Sequence, residues 1–167
     1  MAEERTDRHA LPLLQAGQAQ KELTHNEALV MLDLLAMAAA TGIAEVPPAA
    51  PSPGDCWIVG PAAGGPWAGA ANMLAGWTES GWRFAAPTPG MRVWLTSDDC
   101  EAAWRDGAWV VGETRTRRLV IGGEQVAGPR QPAIAAPSGG ATVDVEARAS
   151  LTAILAALTA HGLVATD

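Results

Sequence analysis

The chain has 167 residues, enough for one compact domain or for a small domain with extensions. Its net charge is −7, with 11 Lys and Arg against 18 Asp and Glu; this argues against a nucleic-acid partner, because phosphate binding needs clustered basic side chains. Charged residues make up 17% of the chain and hydrophobic residues 49%, so we expect part of the surface to be buried against other subunits.

The N-terminal region, residues 1–46, predicts a polar arm followed by one helix. The span from about Gln18 to Ala40 consists of strong helix formers without Pro or Gly. Gly42 is predicted to be the left-handed residue that ends this helix. The half from Ala28 to Ala40 is apolar on nearly every face, so it must be covered on all sides, and neighbouring subunits could provide that cover. The side chains expected at such an interface are Leu29, Leu32 and Leu35.

The N-terminal sequence shows no secretory signal, because its charged first residues are not followed by an apolar core. The most apolar run of the chain is interrupted by Asp33 and is too short to span a bilayer. We therefore expect no insertion into a membrane.

Residues 47–127 predict a tryptophan-rich β-domain that begins with a stiff proline-rich connector. The sequence of this region repeats. A Pro-Gly pair, Pro53-Gly54 or Pro89-Gly90, precedes a short apolar run, and a unit of two tryptophans separated by four residues follows. The region contains all seven tryptophans of a chain with no Tyr and one Phe: Trp57, Trp67, Trp77, Trp82, Trp94, Trp104 and Trp109.

Each unit of two tryptophans predicts a tight β-hairpin. Ser80-Gly81 lies between Trp77 and Trp82, and Asp106-Gly107 lies in the second unit; both are turn dipeptides. The paired indoles then fall on facing strands, where they stabilise a small sheet. The predicted fold class is α+β: an N-terminal α-helix, a small tryptophan-rich antiparallel β-domain built from two hairpin-containing repeats, and a short C-terminal α-helix.

The tryptophans allow two interpretations. Large rings fill the core of a small domain efficiently, so any of them can be structural. Alternatively, an exposed indole can form a flat platform on which the C–H face of a sugar ring stacks. Trp67 is the indole we most expect to be exposed, because its neighbours are loop formers, and Trp77 and Trp104 come next.

The last third of the chain predicts a strand pair around Leu119–Ile121, a Pro/Gly linker over residues 128–141, and a helix within residues 142–167. Thr142 or Asp144 can cap the start of the helix, and Gly162 ends it with a Schellman motif. One face has the spacing of a coiled-coil seam, so the helix packs on its own β-domain or on copies of itself, for which a trimer is our guess. The seam side chains are Ala147, Leu151, Ile154 and Leu158.

The sequence contains no motif that predicts catalysis. Asp98, Asp99 and Glu101 form an acidic cluster, but they lie within four residues of each other in an expected hairpin loop, with no apolar pocket to raise a carboxyl pKa. Cys56 and Cys100 lack metal-ligand spacing, and we favour free thiols. We therefore expect no enzymatic activity, no metal and no cofactor.

Several stretches together resemble a domain family of formerly unknown function that occurs in bacteriophages, prophages and gene transfer agents, in proteins labelled as tail-fibre or head-spike components. The stretches are Leu11–Ala28, Pro53–Val59, Gly81–Phe84, Pro89–Trp94 and, at the end of the chain, Leu151–Leu163.

The resemblance implies a virion-like structural protein made in the bacterial cytoplasm. Longer members of that family carry additional receptor-binding regions, so the shorter chain fits a base, an adaptor or a short fibre. The leading hypothesis is a homo-oligomeric spike or fibre subunit that contacts other particle proteins and supports attachment to the host; a pentamer is possible besides a trimer. The alternative is a carbohydrate-binding module that recognises a cell-surface or capsular polysaccharide through exposed tryptophans.

Overall fold

A computed structural model describes residues 4–15, 17, 21–141 and 144–165. The chain divides into two compact units, Met1–Glu113 and Thr114–Asp167. The predicted strand pair around residues 119–127 therefore groups with the C-terminal helix, whereas the rest of the predicted β-domain groups with the N-terminal helix.

The described residues of the first unit form one α-helix, one short 3-10 turn and eight strands. These elements are α1 (Lys21–Leu35), β1 (Ala39–Ala40), β2 (Ile43–Ala44), β3 (Cys56–Val59), the 3-10 turn Gly65–Trp67, β4 (Leu74–Thr78), β5 (Gly81–Ala85), β6 (Arg92–Leu95), β7 (Cys100–Arg105) and β8 (Ala108–Val111).

The eight strands form two four-stranded sheets of the same design. The first sheet has the order β2-β3-β4-β5 and the second has the order β1-β6-β7-β8. In each sheet a two-residue strand pairs in parallel with the first strand of an antiparallel meander. The amide of Gly54 donates to the carbonyl of Trp77 (2.9 Å), and the amide of Gly90 donates to that of Trp104 (3.3 Å). These equivalent bonds confirm the two repeats, and the α+β fold class is confirmed as well.

The two hairpins pair their tryptophans as predicted. Trp77 lies opposite Trp82, and Trp104 lies opposite Trp109. In the second hairpin the loop is Asp106-Gly107, and both residues have positive φ (51° and 82°), as a type I′ turn requires. In the first hairpin the predicted turn dipeptide Ser80-Gly81 is wrong by one residue. Thr78 pairs with Gly81, so the loop is Glu79-Ser80 and the glycine begins β5.

The two sheets stack so that equivalent tryptophans face different surroundings. The central core contains Leu74 of the first sheet and Ala102 of the second. Because successive strand residues alternate between faces, Trp77 points away from this core. Trp104 is two residues from Ala102 and shares its face, and its partner Trp109 packs against the central core. We call the face of each sheet that carries its tryptophan pair the front and the opposite face the back. The back of the first sheet therefore packs against the front of the second, with the central core between them. The other residues of this core are Leu34, Ala40, Cys56, Ile58, Ala85, Val93 and Leu95.

Helix α1 is shorter than the sequence predicted. It ends at Leu35, and the left-handed residue after it is Met37 (φ 44°), not Gly42. The start predicted at Gln18 lies outside the described residues. The difference arises because Ala38–Ala40 bond to the second sheet: the amide of Trp94 donates to the carbonyl of Ala38 at 2.9 Å. Strand pairing overrides the helix propensity of alanine.

The N-terminal arm is held against α1 by polar contacts. The guanidinium of Arg8 donates to the carbonyls of Asp33 and Leu34 at 2.9 Å each, which satisfies groups that a helix end leaves open. The side chain of Asn26 exchanges two 2.9 Å hydrogen bonds with the backbone of Leu14. The polar arm therefore contacts its own helix through residues from Thr6 to Leu14.

The second unit contains a hairpin, β9 (Leu119–Ile121) and β10 (Glu124–Ala127), and the helix α2 (Val145–Ala160). The carboxylate of Asp144 caps α2 by accepting from the amide of Ala147 at 2.8 Å; the alternative cap, Thr142, lies outside the described residues. The amides of Leu163 and Gly162 donate to the carbonyls of Leu158 and Thr159, which confirms the Schellman motif. Among the described residues, neither helix is long and apolar enough to cross a membrane.

Candidate functional site on the tryptophan-bearing faces

The front of the first sheet carries a cluster of four tryptophans. Trp82 lies at its centre, with ring centroids 5.0 Å from Trp77, 5.1 Å from Trp67 and 5.9 Å from Trp57. All three pairs meet edge to face, the geometry that aromatic pairs prefer. Three of these indoles are half-buried, so the cluster forms a partly accessible surface.

The prediction that Trp67 is exposed is wrong. Its side chain is 0% exposed and belongs to a second hydrophobic core with Val59 and Ala75. Its loop lies over the front of the first sheet, and the indole packs against the rings of Trp57 and Trp82. Loop formers around Trp67 indicate a loop, but they do not indicate whether that loop covers an apolar sheet. Trp67 is therefore inaccessible as a sugar platform.

Trp77 and Trp104, the other two predicted platforms, are half-buried and lie in different sheets. Trp77 shares the four-tryptophan cluster with Trp67, whereas Trp104 packs on Trp109 with a centroid distance of 5.5 Å. The indole N–H of Trp109 donates to the carbonyl of Asn72 at 2.8 Å and so fixes this pair to the first repeat. The three predicted platforms therefore do not form one site.

Sequence reasoning missed the most accessible tryptophan, Trp94, which is 46% exposed. It lies in β6 between the buried side chains of Val93 and Leu95, so it points to the back of the second sheet. Arg92 shares this face and forms a salt bridge with Glu101 at 2.9 Å. The alternation of Arg92, Trp94 and Thr96 with apolar residues was a sequence signal for an outward-facing indole.

The predicted oligomerisation residues differ in exposure. Exposed fractions are 54% for Leu32, 43% for Leu35, 49% for Leu151 and 55% for Ile154. Leu29 and Leu158 are half-buried. An interface role for these side chains stays a prediction.

A polar groove of about 500 Å³ runs between the arm, α1 and the tip of the first hairpin. At its edge the guanidinium of Arg83 binds both carboxylate oxygens of Glu27, at 2.7 and 3.0 Å. These hydrogen bonds lower the pKa of Glu27 and raise the pKa of Arg83. Across the groove, burial and the charges of Glu79 and Asp33 raise the pKa of Asp7. In this groove the fold therefore stabilises the ionised form of Glu27 and destabilises the ionised form of Asp7.

The acidic residues of the predicted cluster lie at the surface, and two of them are engaged by neighbouring side chains. Asp98 and Asp99 are exposed in the loop between β6 and β7, as predicted. Asp98 accepts a hydrogen bond from the hydroxyl of Ser97 at 2.6 Å, and Glu101 is engaged by Arg92. Within the described parts of the chain, no group of three His, Cys, Asp or Glu side chains could hold a metal. Cys56 is buried, Cys100 is half-buried, and both are free thiols.

The fold and these faces define an α+β protein with a duplicated, tryptophan-paired sheet. The chain belongs to the family described as protein of unknown function (DUF2793), whose model matches residues 25–110. The match begins within α1 and ends within β8, so it spans both sheets. No curated protein matches the chain significantly.

Proposed function

We propose that the protein is a structural subunit of a phage-like particle, in a head spike or in the base or adaptor of a tail fibre. It assembles as a homo-oligomer and supports attachment of the particle to the host cell surface. The observation that carries this proposal is the uncovered apolar surface of the second unit. The phage-like setting is supported by the resemblance of Leu11–Ala28 and Pro89–Trp94 to phage and gene-transfer-agent proteins.

The second unit buries too little surface to be stable by itself. Among its described residues, Val164 alone is buried. An isolated two-stranded hairpin and a single 16-residue helix are both marginal in water. Burial against other chains would supply the missing stabilisation. The large apolar side chains that stay exposed are Leu119, Val120, Ile121, Val126, Ile134, Val145, Leu151, Ile154 and Leu163.

Helix α2 divides into two apolar faces. One face, with Leu155 and Ala156, borders a groove that Ile134 of the same unit also lines. The adjacent seam, with Leu151 and Ile154, remains exposed. From residue 149 to residue 160 the helix has no charged side chain, so no like charges oppose the packing of identical helices. The seam therefore suits copies of itself, as a trimer or a pentamer.

The absolute mass in solution, measured by light scattering, tests this assembly. We expect an oligomer for the full chain and a monomer for a chain that ends at Gly140 and so lacks α2. The double variant Leu151→Glu/Ile154→Glu should also be monomeric. Ala153→Glu, on the opposite side of α2, is the matched control and should remain oligomeric. A full-length monomer would refute the proposal.

A truncated chain that stays oligomeric would move the interface into the first unit. The apolar residues predicted at an α1 interface are then the candidates: Leu32 and Leu35, which are exposed, and Leu29, which is half-buried. Charge substitutions at these positions should separate the subunits.

The particle role has its own test. Phage-like particles purified from a producing strain should carry the chain at discrete positions in immunogold electron micrographs. A strain that lacks the chain should release particles that adsorb poorly to host cells. Particles of normal composition that never contain the chain would contradict the role.

Glycan recognition through tryptophan is the second candidate function. It is favoured by the partial accessibility of Trp77, Trp104 and Trp94. The two functions can coexist, and they differ in one property: a glycan-binding module should bind its glycan even when the assembly is disrupted.

A further inference from the structure

We propose that the back of the second sheet binds one hexose ring of a neutral polysaccharide, which stacks on the indole of Trp94. Arg92 and Glu101 supply the hydrogen bonds to its hydroxyl groups. This inference rests on the second candidate function, but it places the site at a different residue from the predicted platforms and assigns the charge class of the ligand.

The indole of Trp94 is held by a rigid frame. Strand β6 lies between β1 and β7; it pairs with β7 over its whole length and with β1 at Trp94 and Leu95. The side chains on either side of Trp94, Val93 and Leu95, are 0% and 1% exposed and anchor the strand in the central core. A ring presented from such a strand loses little freedom when a ligand binds, which lowers the cost of binding.

The polar groups that a sugar requires lie beside this ring. Glu101 is directly opposite Trp94 in the strand register, and Arg92 lies two residues before it on the same face. The Nη1 group of Arg92 donates to both carboxylate oxygens of Glu101, at 2.9 and 3.0 Å. Its Nε and Nη2 groups have no hydrogen-bond partner among the described residues. The pair therefore offers both donors and acceptors next to a flat apolar surface.

The composition of this face fits a sugar better than a protein partner. A protein–protein interface is centred on contiguous buried apolar anchors. Here one large apolar ring lies among polar and small side chains. Ala39 is paired with Trp94 on β1, Thr96 is exposed, and a second salt bridge joins Arg105 to Glu113 at 3.0 Å along the same strand face. A pyranose has the matching pattern, with an apolar C–H face and a rim of hydroxyl groups.

The charges on this face favour a neutral ligand. The guanidinium of Arg92 is already neutralised by Glu101, so a uronic acid would meet no unpaired cation. The net charge of −7 also repels polyanions. We therefore expect neutral hexose polymers to bind and acidic ones to bind more weakly. For a one-ring site we expect a dissociation constant on the order of 1 mM.

The test records the indole N–H signals of the 15N-labelled full chain by two-dimensional NMR. Each signal is assigned by single Trp→Phe substitution. The probes are neutral hexasaccharides built from glucose, mannose or galactose, and a galacturonic acid hexasaccharide. We expect one of the neutral probes to shift the Trp94 signal and to leave the signal of the buried Trp67 in place. The shift of the Trp94 signal should be larger with this neutral probe than with the acidic probe.

Variants then separate this site from the other tryptophans. Trp94→Ala should weaken binding by about tenfold or more, and Arg92→Gln should weaken it less. Trp104→Phe is the matched control and should bind normally. Unchanged signals of the other indoles in Trp94→Ala would show that the fold is retained.

Three results would overturn the proposal. Binding that survives in Trp94→Ala and is lost in Trp77→Phe would refute this site but leave glycan recognition in place. A Trp94 signal that responds to protein concentration and not to any sugar would identify this face as a contact between copies of the chain. A Trp94 signal unmoved by every probe at concentrations well above about 1 mM would exclude the site.

Discussion

The carboxylate of Asp33 on α1 accepts a 2.8 Å hydrogen bond from the hydroxyl of Thr6 in the N-terminal arm. The same carboxylate accepts from the backbone amides of Arg8 and His9, at 2.9 and 2.7 Å. Asp33 is buried, so these three donors replace the water that a carboxylate would otherwise bind. The bonds explain how a polar arm is fixed to a helix with little apolar burial.

Asp33→Ala should destabilise the protein strongly. The substitution leaves the three donors of the arm without their acceptor, and we expect a loss of about 2–4 kcal/mol in the free energy of unfolding. Urea denaturation monitored by tryptophan fluorescence measures this loss. Asp98→Ala, which removes an exposed carboxylate, is the control and should change stability by less than about 0.5 kcal/mol. Equal stability of the two variants would show that the arm contributes nothing to folding.

The paired hairpins were predictable from sequence because their determinants are local. Asp106-Gly107 favours positive φ at two successive residues, and the spacing of Trp104 and Trp109 then sets the register. The stacking of the two sheets was not predictable. Nothing in the sequences of the repeats indicates that Trp109 packs against the central core while its equivalent, Trp82, packs against the core that contains the covering residue Trp67.

Two other differences have the same origin in long-range contacts. The helix ends early because Ala39 and Ala40 pair with a strand more than fifty residues further along the chain. Trp67 is buried because its loop lies over Trp57 and Trp82. Local composition indicated helix and exposed loop, and tertiary pairing overrode both. The exposure of Trp94, which the sequence analysis missed, could in contrast have been predicted from strand alternation alone.

Trp67→Ala should cost about 3–5 kcal/mol in the free energy of unfolding, because it removes a fully buried indole that packs against two other rings. Trp94→Ala removes a half-exposed indole and should cost less than about 1 kcal/mol. Thermal or urea unfolding of both variants measures the difference. If the two variants lose the same stability, the loop does not cover the sheet in solution as the fold requires.

Cys56 and Cys100 should differ in reactivity. Burial raises the pKa of the Cys56 thiol to about 11, so about one molecule in a thousand carries the thiolate at pH 8. Cys100 is less buried. We expect iodoacetamide to label native Cys100 and to reach Cys56 only after unfolding, as measured by mass spectrometry of the digested chain. Cys100→Ser should abolish native labelling, whereas rapid labelling of that variant would disprove the burial of Cys56.

Asp7→Asn should stabilise the protein at neutral pH. Because burial and the charges of Glu79 and Asp33 raise the pKa of Asp7 in the folded state, ionisation of this carboxyl opposes folding. The unfavourable contribution is absent below the unfolded pKa of 3.8 and complete above the raised folded pKa. The gain from Asp7→Asn should therefore appear at pH 7 and vanish near pH 3. A variant that is less stable than the parent at pH 7 would contradict this.

Glu27→Gln should show the opposite dependence on pH. The hydrogen bonds from Arg83 lower the pKa of Glu27, so its ionised form favours the folded state. This contribution is present above the unfolded pKa of 4.5 and is lost as the pH falls through the lowered folded pKa. The Glu27 side chain is 55% exposed, so we expect a loss of about 0.2–1 kcal/mol at pH 7. Urea titrations at pH 7 and pH 3 should show a difference between Glu27→Gln and the parent at the higher pH alone, and a difference of equal size at both would assign the effect to packing instead of charge.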